Sequence, residues 1–131
     1  PEPWPIMRDG AWWQQRLAGR RCAIKPALMR QDWVAGLGNI AGSEICFRAA
    51  IDPRRLASTL NPAEWDAIGR AVRDYIECTL AQTGSLVYIS RGGENPFLVY
   101  GRTGSCPRCD GTITRFEQGG RGTWFCGGCQ L

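Results

Sequence analysis

Two Cys-x-x-Cys pairs carry the clearest chemistry in this chain. They are Cys106-Pro107-Arg108-Cys109 and Cys126-Gly127-Gly128-Cys129, with 16 residues between them. A two-residue gap lets both sulfurs of a pair face one ion, and four thiolates close a tetrahedral zinc site. The spacing favours that arrangement over loose thiols or two disulfides. With all four ligands drawn from protein, no position is left for substrate or water, so the one Zn2+ expected here is structural. Its binding doubles as folding free energy, about 10 kcal/mol for a structural zinc. Gly104, Gly127 and Gly128 suit the tight turns of the two knuckles. The insert between them reads as a hairpin with β-prone arms at 112–116 and 119–125 and glycines at its tip. Arg121, between Gly120 and Gly122, is the candidate functional residue of this unit. A guanidinium on a small loop suits a phosphate, and a plain solvated turn arginine is the alternative.

The elements that must position these residues come from 131 residues, enough for one domain or two small units. Hydrophobic residues make up 44%, which supports a core, and the formal charge is +4. The excess is carried by arginine, since Lys25 is the only lysine. Four zinc-bound thiolates lower the true charge by about two units. Arginine favours bidentate contact with phosphate, so nucleic acid is the first partner class to test. The remaining cysteines, Cys22, Cys46 and Cys78, are scattered among apolar residues. An odd remainder beside a thiolate zinc site fits a reducing cytoplasm better than a secreted framework. The arginine-rich, lysine-poor usage points to a GC-rich bacterial source, and a monomer is the expected state. No apolar run is long enough to span a membrane, and no signal peptide is evident. Histidine is absent, which removes the commonest general base and any Ser-His-Asp arrangement.

Along the chain, residues 1–10 are proline-punctuated and read as a lead-in. Asp9 is placed to cap a short helix over 11–18, ended by Gly19. Three cations, Arg20, Arg21 and Lys25, precede a proline-started helix expected over 26–34. Gly36 and Gly38 then force a compact turn ahead of Asn39 and a helix over 40–50. Such a turn can aim backbone N–H groups at a phosphate, and it can equally be an ordinary helical corner. The clearest helix follows: Asn61 as cap, Pro62 at the first position, Glu64 three past the cap, running to about residue 82. Trp65, Ile68, Val72, Ile76 and Leu80 form its core stripe. Residues 84–104 read as loop with β-prone pieces at 86–89 and 97–100. The fold class is therefore mainly α with a small β zinc ribbon: lead-in 1–10, helical unit 11–90, and connector plus finger 91–131.

Taken together, four pieces resemble the C-terminal half of the formamidopyrimidine-DNA glycosylase and endonuclease VIII family of base-excision repair enzymes. They are Ala23-Ile24-Lys25-Pro26, Val34-Ala35-Gly36-Leu37-Gly38-Asn39-Ile40, Val99-Tyr100-Gly101-Arg102, and the four-cysteine ribbon with Gly120-Arg121. The resemblance covers nearly all of the chain. It implies a helix–two-turn–helix bundle followed by a zinc finger, together gripping double-stranded DNA at an oxidised base or abasic site. It further implies that Asn39 and the amides near Gly36 and Gly38 bind backbone phosphate, that Lys25 contacts a phosphate near the lesion, and that Arg20 and Arg21 add basic charge. Arg121 would hold the phosphates flanking an extruded nucleotide and would be linked to the elimination step. In the family, the sugar chemistry belongs to an N-terminal β-rich domain that begins with a nucleophilic proline followed by glutamate. This chain begins Pro1-Glu2 but runs straight into its helical half, so Pro1 is not expected to be a nucleophile. Ala41 stands where the family usually has tyrosine, and the connector at 84–97 is shorter than in enzymes for oxidised purines. The alternative function is a non-enzymatic, zinc-dependent nucleic-acid-binding module.

Overall fold

The computed structural model describes residues 8–30, 38–83 and 97–131. Helix α1 spans Gly10–Leu17, and the Asp9 side chain caps it by accepting from the Trp12 N–H at 3.0 Å. Helix α2 spans Ile24–Met29, α3 spans Asn39–Arg48, and α4 spans Pro62–Thr83. A short 3-10 turn, Ala57–Thr59, lies between α3 and α4. The expected capping box at the head of α4 is present. Asn61 N–H donates to Glu64 Oε1 at 3.0 Å, and Glu64 N–H donates to Asn61 Oδ1 at 2.8 Å.

The helical core is built from Trp13 and Leu17 of α1, Ile24 and Leu28 of α2, Ile45 of α3, and Trp65, Ile68, Val72 and Ile76 of α4. Helices α1 and α4 meet almost backbone to backbone. A Cβ at Gly69 would lie 2.8 Å from the Gly10 nitrogen, and one at Gly10 would lie 2.5 Å from the Asp66 Cα. Neither glycine can be enlarged without pushing the helices apart.

Three helix boundaries differ from expectation. Helix α2 begins at Ile24, two residues ahead of Pro26, because its first amides find partners outside the helix. Ile24 N–H donates to Arg55 O at 2.7 Å, and Lys25 N–H donates to Pro53 O at 3.4 Å. Pro26 then sits in the first turn, where its missing N–H is not needed. Helix α2 stops at Met29, short of the expected residue 34, and Arg30 is extended. The expected α3 end near residue 50 falls to Arg48, since Ala50 takes a positive φ of 60°. The glycine turn around Gly36, the β-prone piece at 86–89 and the Leu80 side chain lie outside the described residues.

The C-terminal unit is a three-stranded antiparallel sheet in the order β1-β2-β3, formed by Gly104–Ser105, Thr112–Gln118 and Arg121–Cys126. Gln118 pairs with Arg121, so the hairpin tip is the two residues Gly119 and Gly120, at φ 60° and 79°. Two successive positive φ values make the twist of a two-residue turn match that of the strands. Arg121 is therefore not part of the turn itself; it opens β3 beside it.

Residues 97–100 form no strand. Their amides are drawn instead to one buried carboxylate. Glu44 of α3 is fully buried and accepts from the N–H groups of Leu98 at 2.9 Å, Val99 at 2.8 Å and Tyr100 at 3.0 Å. An amide committed to a carboxylate is lost to a β ladder. The chain end completes the attachment of the ribbon. Leu131 N–H donates to Ala50 O at 3.1 Å, Asp52 N–H to Leu131 O at 3.2 Å, and Gln130 Nε2 to Ile51 O at 3.0 Å. Among the described residues, no helix is long and apolar enough to cross a membrane.

Replacing Glu44 by Ala orphans three amides, at least one of them fully buried, and is expected to cost on the order of 3–5 kcal/mol. Asn61→Ala removes one exposed cap bond and should cost about 1 kcal/mol. Urea unfolding of the zinc-loaded chain checks that order.

Candidate nucleic-acid interface and metal centre

The four cysteine sulfurs of the two knuckles lie within 4.8 Å of one another. Cys106 and Cys129 are 3.9 Å apart, and Cys109 and Cys126 are 3.5 Å apart. Sulfurs held about 2.3 Å from a tetrahedral zinc are about 3.8 Å from each other, so the cluster has the size the ion requires. All seven cysteines are free of disulfides. Arg108 N–H donates to Cys106 Sγ at 3.3 Å and Gly111 N–H to Cys109 Sγ at 3.2 Å. Amides aimed at sulfur stabilise thiolate charge. Gly111 was not singled out by sequence reasoning, yet a Cβ there would lie 2.8 Å from Cys126 Sγ. The donor set and its close packing fit one structural zinc, held by Cys106, Cys109, Cys126 and Cys129.

A second constellation forms where α2, α3 and the ribbon meet. Lys25 Nζ donates to Asn39 Oδ1 at 2.7 Å, and Asn39 Nδ2 donates to Gly122 O at 3.0 Å. The residue before Gly122 is Arg121, which is exposed and close enough to Lys25 to disfavour its charge. Lys25 is almost fully buried, at 1% exposure. Its pKa falls from 10.5 to about 8, chiefly through burial. The charge of Cys46 would push it back up and that of Arg121 pushes it down. The Cys46 thiol is itself raised to about 12 by burial, so it stays neutral and offers Lys25 no compensation.

Helix α3 starts at this point. Gly38 is its N-cap, and among the described residues no side chain caps the first amides of the helix. Those amides, the half-buried Asn39 side chain and the exposed Arg121 give one surface rich in donors, with the buried Lys25 ammonium behind it on Asn39. Arg20 and Arg21 are exposed on the turn leading into α2 and take no part in the Lys25–Asn39–Gly122 bonds. Gly36 lies outside the described residues.

Sequence reasoning missed the residues that hold this junction. Ser43 Oγ accepts from Trp124 N–H at 3.4 Å, Gln118 Nε2 donates to Pro53 O at 3.0 Å, and Glu44 gathers the amides of 98–100. The one available signal was an acid, Glu44, four residues after Ile40 on the inner face of α3.

A family model described as the formamidopyrimidine-DNA glycosylase H2TH domain matches residues 1–90. The chain belongs to the formamidopyrimidine-DNA glycosylase H2TH family. A second model, a zinc finger found in FPG and IleRS, matches residues 106–131. The formamidopyrimidine-DNA glycosylase of Chelativorans sp. (strain BNC1) is 41% identical over 145 residues, covering 98% of this chain and 49% of that protein. That of Bordetella parapertussis is 40% identical over 138 residues, covering 98% and 50%. The chain thus spans about half the length of the curated relatives it matches. Among solved structures, the Lactococcus lactis Fpg in complex with DNA containing an abasic site superposes with a TM-score of 0.82 at 31% identity, covering 94% of this chain and 48% of that one. The Thermus thermophilus MutM (Fpg) protein gives 0.83 at 31%, covering 98% and 53%. The H2TH helices and the FPG-type finger account for both units of the fold.

The depressed Lys25 pKa has a stability consequence. Below pH 8 both states carry the charge, and the burial penalty is fully present. Between pH 8 and 10.5 the unfolded chain holds a proton that the folded one has released, so stability rises with pH. Relative to Lys25→Met, the wild type should gain on the order of 3 kcal/mol across that window. Paired urea titrations at pH 7.5 and 10.5 check the sign.

Proposed function

We propose that this chain is the DNA-gripping C-terminal portion of a bacterial base-excision-repair glycosylase and AP lyase. The observation that carries the reading is the Lys25–Asn39–Gly122 pair of hydrogen bonds, which sets the Arg121 strand against the start of α3. Relatives of the same fold were solved with DNA containing an abasic site or carbocyclic 8-oxo-G. The partner assigned to this chain is double-stranded DNA with an oxidised base or an abasic site.

In this reading the α3 amides after Gly38 and the Asn39 side-chain amide take one backbone phosphate, and the family resemblance adds Gly36, which lies outside the described residues. Lys25 supports it from beneath through its bond to Asn39, and a phosphate there would raise its pKa back from about 8. Arg121 clamps the phosphates on the other side of the lesion and is the residue tied to elimination. Arg20 and Arg21 add attraction at longer range. Extruding a nucleotide costs a few kcal/mol in lost stacking, and pinning the backbone on both sides of the kink offsets that cost. The zinc supplies no chemistry to this scheme; it makes the ribbon rigid enough to aim Arg121. Bond breaking at the sugar is assigned to the part of the relatives that this chain does not span. A monomer acting in the bacterial cytoplasm completes the proposal.

Fluorescence anisotropy with an abasic-site duplex tests it. Arg121→Ala and Asn39→Ala should each weaken binding about tenfold or more at moderate salt. Arg121→Ala should also reduce the salt slope by about one unit. Unchanged affinity in both variants contradicts the reading, and a preference for RNA over duplex DNA replaces it with a non-enzymatic binding module.

A further inference from the structure

Arg108 lies in the first knuckle but makes its side-chain contacts elsewhere. Its Nη2 donates to Sγ of Cys129, in the second knuckle, at 3.2 Å. Its guanidinium carbon sits 3.9 Å from the centroid of the Phe47 ring. Phe47 belongs to α3 and is 1% exposed, packed in a cluster with Val99, Cys106, Ile113 and Cys126. One side chain therefore bridges a sulfur of the metal cluster and an aromatic ring of the helix that begins at Asn39.

We propose that Arg108 is a positioning residue that ties metal loading of the ribbon to the seating of the ribbon on α3, acting through Cys129 and Phe47. One Zn2+ on four thiolates leaves two negative charges on the cluster. A guanidinium that donates to one of those sulfurs is held by a charge-assisted bond. Its guanidinium carbon then sits over the buried Phe47 ring, a cation–π contact made by an exposed arginine. Lysine cannot replace this arrangement, because an ammonium has no planar face to stack while its edge donates. The coupling is reciprocal by thermodynamic necessity. Whatever the loaded cluster contributes to seating α3, the seated α3 returns as zinc affinity. The inference depends on the four-sulfur metal site and is independent of DNA binding.

Zinc retention tests it on the full chain. The zinc-loaded wild type, Arg108→Gln, Arg108→Lys and Phe47→Leu are titrated with a chromophoric chelator. Hydrogen exchange of the α3 amides is then compared with and without zinc. Arg108→Gln is expected to release zinc at ten- to hundredfold lower chelator. It should also lose most of the protection that loading confers on α3. Arg108→Lys and Phe47→Leu should fall between it and the wild type. Zinc retention by Arg108→Gln within twofold of wild type overturns the proposal, as does wild-type protection of α3 on loading. If Arg108→Gln yields no soluble protein, Arg108→Lys decides: weaker retention supports the coupling, and retention equal to wild type overturns it.

Discussion

Asn39 accepts a hydrogen bond from the Lys25 ammonium and donates one to the Gly122 carbonyl, and through these two bonds α2, α3 and the ribbon meet at one point. An amide side chain has a fixed donor edge and a fixed acceptor edge. With a cation on one side and a main-chain carbonyl on the other, its orientation is settled. Gly122 is paired with Glu117 across the hairpin, so holding its carbonyl holds the strand, and with it Arg121 next door. The register of that strand rests in turn on the tip turn and on the cysteine cluster below it. A local metal site and a helical corner therefore act together to place one guanidinium.

The rest of the molecule keeps that point from moving. Glu44 fastens the approach to the ribbon onto α3, and Tyr100, once held there, packs on Trp124 at 4.5 Å between ring centroids. The chain end pairs with 50–52, and Arg54 lies over Phe125 at 4.7 Å. These contributions are unequal. The exposed Arg115–Glu117 pair contributes little to stability, because water screens it. The Glu44 carboxylate is fully buried and satisfied by backbone amides, so its loss leaves those amides without partners. Arg55 bridges both categories: it pairs with Glu64 at 2.8 Å while also donating to the Leu131 carbonyl at 3.1 Å.

What could be read from the sequence was local. The cysteine spacing gave the metal and the ribbon, and Asp9, Asn61, Pro62 and Glu64 marked helix starts correctly because caps act within three residues. What stayed hidden was long-range. Helix α2 begins ahead of Pro26 because carbonyls at 53 and 55 accept its first amides. Residues 97–100 have strand propensity but answer to an acid more than fifty residues away. Arg121, read as a residue of the hairpin tip, opens β3 beside it, and the first arm runs to Gln118 where composition suggested residue 116. The candidate residues Lys25, Asn39 and Arg121 were legible one by one through family resemblance. Their convergence depends on contacts across 83 residues of chain.

The central claim is that Asn39 and Arg121 work as one clamp set by a shared backbone. A double-mutant cycle on abasic-duplex affinity, using Asn39→Ala, Arg121→Ala and the pair at fixed salt, measures this directly. A shared clamp predicts a double variant weaker than wild type by clearly less than the product of the two single losses, with a coupling of about 1 kcal/mol. Strict additivity would show two independent contacts and contradict the account.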